Sequence, residues 1–290
     1  MSLTGLIRHD PNIKSLFKEY FDKPRLPPGP DMKAPPLTED YQLVGTAFDY
    51  LLRFKVARLN SDKTSPERKH GWVAEAALDR IEDDELKEKA EFDIKEARER
   101  RDKFIEKEDV TEELLKSAIR LARLDPIFRA GRGKEYIGDE IKTENVEDLK
   151  NLIACVPEQE FTAENHCLLN PTFGRGSLLV GGADADLIVD NSIIDFKTTK
   201  RWRSRRRSFN QLAGYYALFK IDDLEHVDSG IEISILSIYF SRHGVLHNYH
   251  VEDLISESEL EEFIGKLQGV VEKRWEMRRA AIEERASDEK

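Results

Sequence analysis

The stretch Gly181-Gly-Ala-Asp-Ala-Asp-Leu-Ile-Val-Asp-Asn-Ser-Ile-Ile-Asp-Phe-Lys-Thr-Thr-Lys200 interleaves carboxylates with apolar residues. Two β-type runs flank Asp190-Asn191, a pair suited to a tight hairpin turn. With those two residues as the loop, Val189 faces Ser192, Asp186 faces Asp195 and Asp184 faces Lys197. Side chains alternate between the two faces of a strand. One face then carries Ala183, Ala185, Leu187, Val189, Ile194 and Phe196 and belongs to a core. The other gathers Asp184, Asp186, Asp195 and Lys197 beside Ile188 and Ile193. Opposed residues have Cβ atoms roughly 4.5–5.5 Å apart, where like charges are destabilising. A hard divalent cation removes that conflict, and oxygen donors suit Mg²⁺ or Mn²⁺. Lys197 would orient or deprotonate a metal-bound water, or stabilise charge building on a phosphate. A solvent-facing edge of hydrated charges accounts for the same spacing equally well.

The adjoining basic run tips the balance toward phosphodiester chemistry. Arg201-Trp-Arg-Ser-Arg-Arg-Arg207 holds five arginines in seven residues, in a chain of net charge −11. Guanidinium forks match phosphate oxygens, and basic clusters supply the salt-dependent part of nucleic-acid affinity. Arg201, Arg203, Arg205, Arg206 and Arg207 are therefore candidate DNA contacts, with Trp202 available to stack on a base or to pack. On the next helix Gln211 and Tyr215 stand four residues apart, on one face. Gly214 between them would allow that helix to lie close on the sheet.

Asp186-x8-Asp195-x-Lys197 followed by Gln211-x-x-x-Tyr215 resembles the PD-(D/E)XK nuclease superfamily, in particular its RecB-type exonuclease group. Ala-Asp186-Leu-Ile-Val looks like that group's first acidic strand, Asp195-Phe-Lys197 like its Asp-Tyr-Lys signature, and Gln211-Leu-Ala-Gly-Tyr215 like its Gln-x-x-x-Tyr helix. The resemblance covers about residues 174–219 well and the rest in outline. It implies a restriction-endonuclease-like α/β core with a mixed central sheet flanked by helices. It also implies Mg²⁺ or Mn²⁺ on Asp186, Asp195 and the Phe196 carbonyl, with Lys197 assisting the attacking water and Gln211 and Tyr215 near site and substrate. Gly45-Thr-Ala-Phe-Asp49 looks like the family's Gly-x-x-x-His helix with aspartate in place of histidine, which makes Asp49 a further candidate ligand. Gly181-x-x-Asp184 fits a family Gly-x-x-Asp pattern too. Asp186 is preferred because it opposes Asp195 and precedes the expected apolar triplet.

Elements that would hold these residues are legible around them. Leu43, Phe48, Leu51, Leu52 and Val56 have helical spacing within Tyr41–Asn60. From Trp72 to Arg129 the sequence is helical and very charged, with a narrow stripe of Ala90, Ile94, Ala97 and Phe104, and Asp125-Pro126 should interrupt the helix that Thr111 begins. Residues 61–135 thus predict a helical insertion, serving as a lid or a DNA-guiding wall. Strand signals fall on Ser177–Val180, Ala183–Val189, Ser192–Thr198, Ile231–Ser241 and Val245–Val251, broken by a helix over Ser208–Lys220. Two capping-box patterns, at Ser256 and Ser258, open a terminal helix striped by Leu260, Ile264, Leu267, Val271 and Trp275. Residues 1–40, with a short helical stretch and then Pro24, Pro27, Pro28, Pro30, Pro35 and Pro36, read as a loosely tied arm or strap. Residues 41–290 are expected to form the nuclease domain that the resemblance implies. Gly181-Gly182 suggests a bulge at a strand start. His243, His247 and His250 do not share a strand face, which argues against zinc.

Composition bounds the rest. The 290 residues carry 46 Lys plus Arg against 57 Asp plus Glu, which excludes a generally basic, histone-like binder. No apolar run approaches the ~18 residues of a membrane span. The first residues lack the apolar stretch of a signal peptide, and two cysteines, Cys155 and Cys167, fit a reducing cytoplasm. The expected function is divalent-metal-dependent hydrolysis of DNA, exonuclease-like, in repair, recombination or defence; the same charges would serve RNA. A nucleic-acid-binding module that keeps the fold without cleaving is the alternative.

Overall fold

Ser192–Lys197 is the strand on which the fold is centred: Ile193, Ile194 and Phe196, branched or aromatic residues that suit a pleated surface, are all buried. The computed structural model of the protein describes residues 2–64, 71–106, 109–221 and 230–288. Its helices are α1 (Leu3–His9), α2 (Pro11–Tyr20), α3 (Tyr41–Leu59), α4 (Val73–Ala76), α5 (Asp84–Ile105), α6 (Glu112–Ala130), α7 (Thr143–Ala154), α8 (Gly174–Leu179), α9 (Arg206–Ile221) and α10 (Glu257–Asp288). Strands β1 (Cys167–Leu169), β2 (Leu187–Val189), β3 (Ser192–Lys197), β4 (Ile235–Phe240) and β5 (Val245–His250) form one mixed sheet in sequence order. Neighbours run antiparallel except β3 and β4, which are parallel with α9 in the crossover between them.

The central strands of the sheet are buried on both faces. Leu187, Val189, Ile194, Phe196 and Tyr239 join the core beneath α3, α5, α6 and α7. Ile188, Ile193, Leu236, Ile238 and Phe240 join the one beneath α1, α2, α9 and α10. The chain is thus an α/β protein with a five-stranded mixed sheet flanked by helices. Among the described residues no helix is long and apolar enough to cross a membrane.

The hairpin about Asp190-Asn191 has the expected register, Leu187 on Ile194, Ile188 on Ile193 and Val189 on Ser192. Asp190 takes φ 48°, and its carboxylate accepts from the Glu164, Asn165 and His166 N–H groups at 2.7–3.0 Å, which ties the turn to the approach of β1. The ladder is shorter than expected, because β2 starts at Leu187. Asp184 bridges Thr172 instead of facing Lys197, and Ala183 and Ala185 share the side of Ile188. The backbone bends at Asp186, so simple alternation fails upstream of it.

Several other elements depart from expectation. Ser177–Val180 is not a strand: Gly174–Leu179 is helix α8, held by Ser177 Oγ, which accepts from Phe173 N–H (2.8 Å) and donates to Ala183 C=O (2.7 Å). Gly176 is required there, since a Cβ would stand 2.6 Å from the Leu218 carbonyl of α9. Gly181 and Gly182 close that helix in left-handed conformations and form no bulge. Helix α6 continues through Pro126 to Ala130. Leu124 and Ile127 on either side are buried, and the buried Asp125 carboxylate accepts the Tyr50 hydroxyl proton at 2.6 Å. That packing outweighs the lost backbone donor.

The stretch 61–135, of which 65–70 and 107–108 lie outside the described residues, is no peripheral insertion. α5 and α6 pack through Ala90, Ile94, Ala97, Leu115, Ile119 and Ala122 into the same core as α3. The N-terminus is likewise integral: Leu3, Leu6, Ile13, Phe17 and Phe21 are buried against α9 and α10. Only the proline-rich part beyond α2 is a strap. There Lys33 and Ala34 N–H groups donate to the Arg242 carbonyl (2.9 and 3.0 Å), while the Arg242 guanidinium grips Asp148 (2.6 and 3.0 Å) in a fully buried pair.

Candidate active site

Alternation along β3 puts Asp195 and Lys197 on the same side as Ile193, under α9. Asp195 is 2% exposed and its Oδ2 pairs with the Lys197 ammonium. Asp186, just before β2, reaches the same end of the hairpin, where its Oδ2 accepts the Phe196 N–H at 2.7 Å. Phe196 thus enters the site through its amide as well as by adjacency. Asp49 comes from the opposite layer, on α3, close enough for its charge to be felt by Asp186, Asp195 and Lys197. A Cβ on Gly45, four residues earlier, would stand 3.7 Å from the Thr198 side chain, which puts the α3 N-terminal half near the end of β3.

This cluster concentrates negative charge where solvation is poor. Desolvation, joined by the Asp186 charge and opposed by Lys197, pushes the Asp195 carboxyl up to about 6. Asp186 is raised by desolvation, partly offset by Lys197 and by the Phe196 N–H. Asp49 is raised well above the usual carboxylate range by desolvation and then by Asp186. Desolvation by itself would lower Lys197, but Asp195, Asp186 and Asp49 together hold it above an ordinary lysine. At neutral pH Lys197 is therefore an ammonium in this arrangement, a donor rather than a base.

Gln211 and Tyr215 meet as their spacing implied: Gln211 Nε2 donates to the Tyr215 hydroxyl at 2.7 Å and to Thr4 Oγ1 at 3.2 Å. The Tyr215 ring stacks on Phe173, and desolvation together with Asp186, Asp195 and Asp184 keeps its hydroxyl protonated. Gly214 serves a different contact from the expected one. A Cβ there would stand 3.0–3.2 Å from Leu3 and Phe17, so it admits the N-terminal helices and not the sheet. Asp184 stays near the cluster electrostatically. Asn170, at φ 51°, can donate from its amide nitrogen to Asp184 Oδ2 (2.9 Å) and Ala185 C=O (3.2 Å).

The arginine run divides. Arg201, Arg203, Arg205 and Arg207 are exposed. Arg206 is not a free contact: its guanidinium donates to the Phe17 and Phe21 carbonyls, the latter at 2.7 Å, closing the C-terminal end of α2. Trp202 is not a stacking platform either. It packs against Phe240 (4.5 Å between centroids) and His243, with its Nε1–H on the Pro27 carbonyl at 2.9 Å. Beside this run a cavity of about 250 Å³ is lined by Lys197, Thr199, Arg203, Ser204, Arg205 and Ser208. Lys197 therefore belongs both to the acidic cluster and to a basic pocket.

Arg53 escaped sequence reasoning. Arg53 Nε donates to the Asp49 carbonyl (3.1 Å), its guanidinium lies over the Tyr50 ring, and its charge lowers both Asp49 and Asp186. Its position four residues after Asp49 on one helix was the available signal.

Among the described residues no group of three or more His, Cys, Asp or Glu side chains converges closely enough to hold a metal ion. In chemical type the donors nonetheless suit a hard cation: three carboxylates raised chiefly by desolvation, one of them paired with a single lysine. Compared with family models, with curated proteins and with solved structures, the chain matches none.

Proposed function

We propose that the chain is a Mg²⁺- or Mn²⁺-dependent nuclease that hydrolyses DNA phosphodiester bonds on a restriction-endonuclease-like core. The observation that carries this proposal is one side chain: Lys197 pairs with Asp195 and also lines the pocket that contains Arg203 and Arg205. An exonuclease-like mode rests on the likeness of Asp195-Phe-Lys197 and Gln211-x-x-x-Tyr215 to the RecB-type group. Repair, recombination and defence are compatible settings, and the free thiols of Cys155 and Cys167 fit the cytoplasm.

Asp186, Asp195 and the Phe196 carbonyl, with Asp49 and Asp184 nearby, would hold the cation, which when bound polarises a phosphate and acidifies its water. Lys197, as an ammonium, donates to a phosphate oxygen as negative charge grows there. Arg203 and Arg205 hold another phosphate of the same strand in the adjoining pocket, and Arg201 and Arg207 track the backbone beyond. Tyr215, kept protonated, is a neutral donor oriented by Gln211.

A non-cleaving nucleic-acid-binding module is the second reading. It is favoured by the engagement of Asp186 with an N–H and of Asp195 with Lys197, and by the lack of convergence of three acids among the described residues. Incubation with linear, nicked and closed circular DNA in Mg²⁺, Mn²⁺ or EDTA separates the two. Lys197→Ala should slow cleavage by about 10²–10³-fold, the cost of losing a transition-state donor, while leaving cation binding in place. Cleavage by Lys197→Ala at the parent rate would overturn the assignment, and DNA binding without cleavage in either metal would favour the module.

A further inference from the structure

The pocket beside Lys197 has features that a bridging phosphate does not require. Arg203 and Arg205 line it, and neither makes a hydrogen bond or ion pair through its side chain among the described residues. Arg203 also lies within the field of Lys23, a second cation rather than a counter-charge. Ser204, 6% exposed, lines the pocket too. Its Oγ is fully buried and engages the Tyr249 hydroxyl rather than the cavity. The pocket sits at the start of α9, a helix of 16 residues. The Arg205 carbonyl accepts the Phe209 N–H there at 3.1 Å, so the N–H groups from Arg206 to Ser208 have no acceptor within the helix. Unpaired guanidinium groups and a helix N-terminus meet at one cavity of about 250 Å³. Ile238 and Phe240 supply its apolar lining.

We propose that this pocket is a receptor for a phosphate monoester, the terminal phosphate of a polynucleotide strand. A diester in the backbone carries a single negative charge, whereas a monoester carries about −1.5 to −2 at neutral pH and presents three acceptor oxygens. Two unpaired arginines and free N–H groups match the monoester in charge and in number of donors. Lys197 adds little net charge, because Asp195 already pairs with it. The strand end would then lie one side chain away from the acidic cluster. The identity of the ester rests on the nucleic-acid function proposed above, but its binding needs no cleavage and no metal.

The test is calorimetric titration, in EDTA, of the full chain with one single-stranded oligonucleotide in three forms: 5′-phosphorylated, 3′-phosphorylated and unphosphorylated. Orthophosphate serves as the small probe. One phosphorylated form should bind about tenfold tighter than the unphosphorylated one, the worth of a charge-assisted contact, and millimolar orthophosphate should erase that margin. Arg205→Ala should remove the preference. Arg207→Ala, an exposed neighbour outside the pocket, should keep it while weakening all three forms alike. Circular dichroism of both variants checks that each is folded. Equal binding of the three forms, or a preference that survives in Arg203→Ala/Arg205→Ala, overturns the proposal. Orthophosphate binding without any preference among oligonucleotides assigns the pocket to free phosphate and overturns the strand terminus. A retained preference in a protein that does not cleave supports this receptor and overturns only the nuclease.

Discussion

Asp195 is held where its charge is costly. Its folded carboxyl titrates near 6 against an ordinary value of 3.8, which means that desolvation and Asp186 outweigh the Lys197 pairing. A raised acid contributes stability that is fully present below the unfolded value and lost as pH rises through the folded one. At neutral pH the metal-free protein therefore carries a penalty at this residue, on the order of 1–3 kcal/mol. Asp195→Asn mimics the protonated acid and leaves Lys197 within the field of Asp186 and Asp49. It should raise the melting temperature in EDTA by a few degrees, at about 2–4 °C per kcal/mol for a chain of this size. If the proposed metal site is right, Mg²⁺ or Mn²⁺ should raise the melting temperature of the parent protein further, and the same change should abolish that rise. Differential scanning calorimetry with and without metal reads both effects, and a variant less stable in EDTA than the parent would contradict them.

At the scale of elements, neighbouring residues of one run have opposite duties. Arg206 closes α2 through two backbone carbonyls, whereas Arg205 faces the pocket. Arg206→Ala should cost about 1–3 kcal/mol in urea unfolding, because buried carbonyls lose a charged donor, and should leave the salt dependence of DNA binding unchanged. Arg205→Ala should reverse that pattern, lowering the slope of log affinity against log salt by about 1 with little change in stability. The strap offers a second test at this scale. Trp202 holds it through Pro27 and packs on His243 and His247. Desolvation lowers the pKa of both histidines, and for His247 the charge of Lys23 adds to it. A depressed histidine stabilises the fold above its unfolded value of 6.5 and loses that contribution as pH falls below it. The urea midpoint should drop between about pH 7.5 and about pH 5.5, and His243→Gln with His247→Gln should shrink the drop.

For the whole molecule, the sheet is closed on one side by a layer that starts at the first described residues. Leu3, Leu6, Ile7, Ile13, Leu16, Phe17 and Phe21 are all buried, and Phe17 and Phe21 pack edge-on against Phe263 of α10. Full burial of a large apolar side chain contributes about 1.5–3 kcal/mol, so seven of them together match or exceed the net stability of a typical domain, about 5–15 kcal/mol. A chain lacking residues 1–21 should be largely unfolded or aggregated. Proteolysis and circular dichroism check this, and a truncated protein that melts like the parent would mean that the layer is dispensable. Loss of α1 would also remove Thr4 from Gln211.

Local chemistry is written in the sequence where neighbours along the chain decide it. The Asp190-Asn191 turn, the pairing of Leu187–Val189 with Ser192–Ile194, the common face of Asp195 and Lys197 and the Gln211–Tyr215 contact all arise from a period of two or of four over a few residues. So does the apolar stripe of α5. Tertiary structure decided the rest, because each remaining feature depends on a partner far away in sequence. Gly176 packs on the Leu218 carbonyl, which turns a β-like Ser-Leu-Leu-Val run into helix. Asp125 accepts the Tyr50 hydroxyl where α6 continues through a proline that reads as a stop. Arg206 and Trp202 look like substrate contacts in composition, but carbonyls of Phe17, Phe21 and Pro27, more than 170 positions away, take their donors. A side chain is left for a ligand only when the folded chain has not already used it, and that is settled by distances in space that no local spacing encodes.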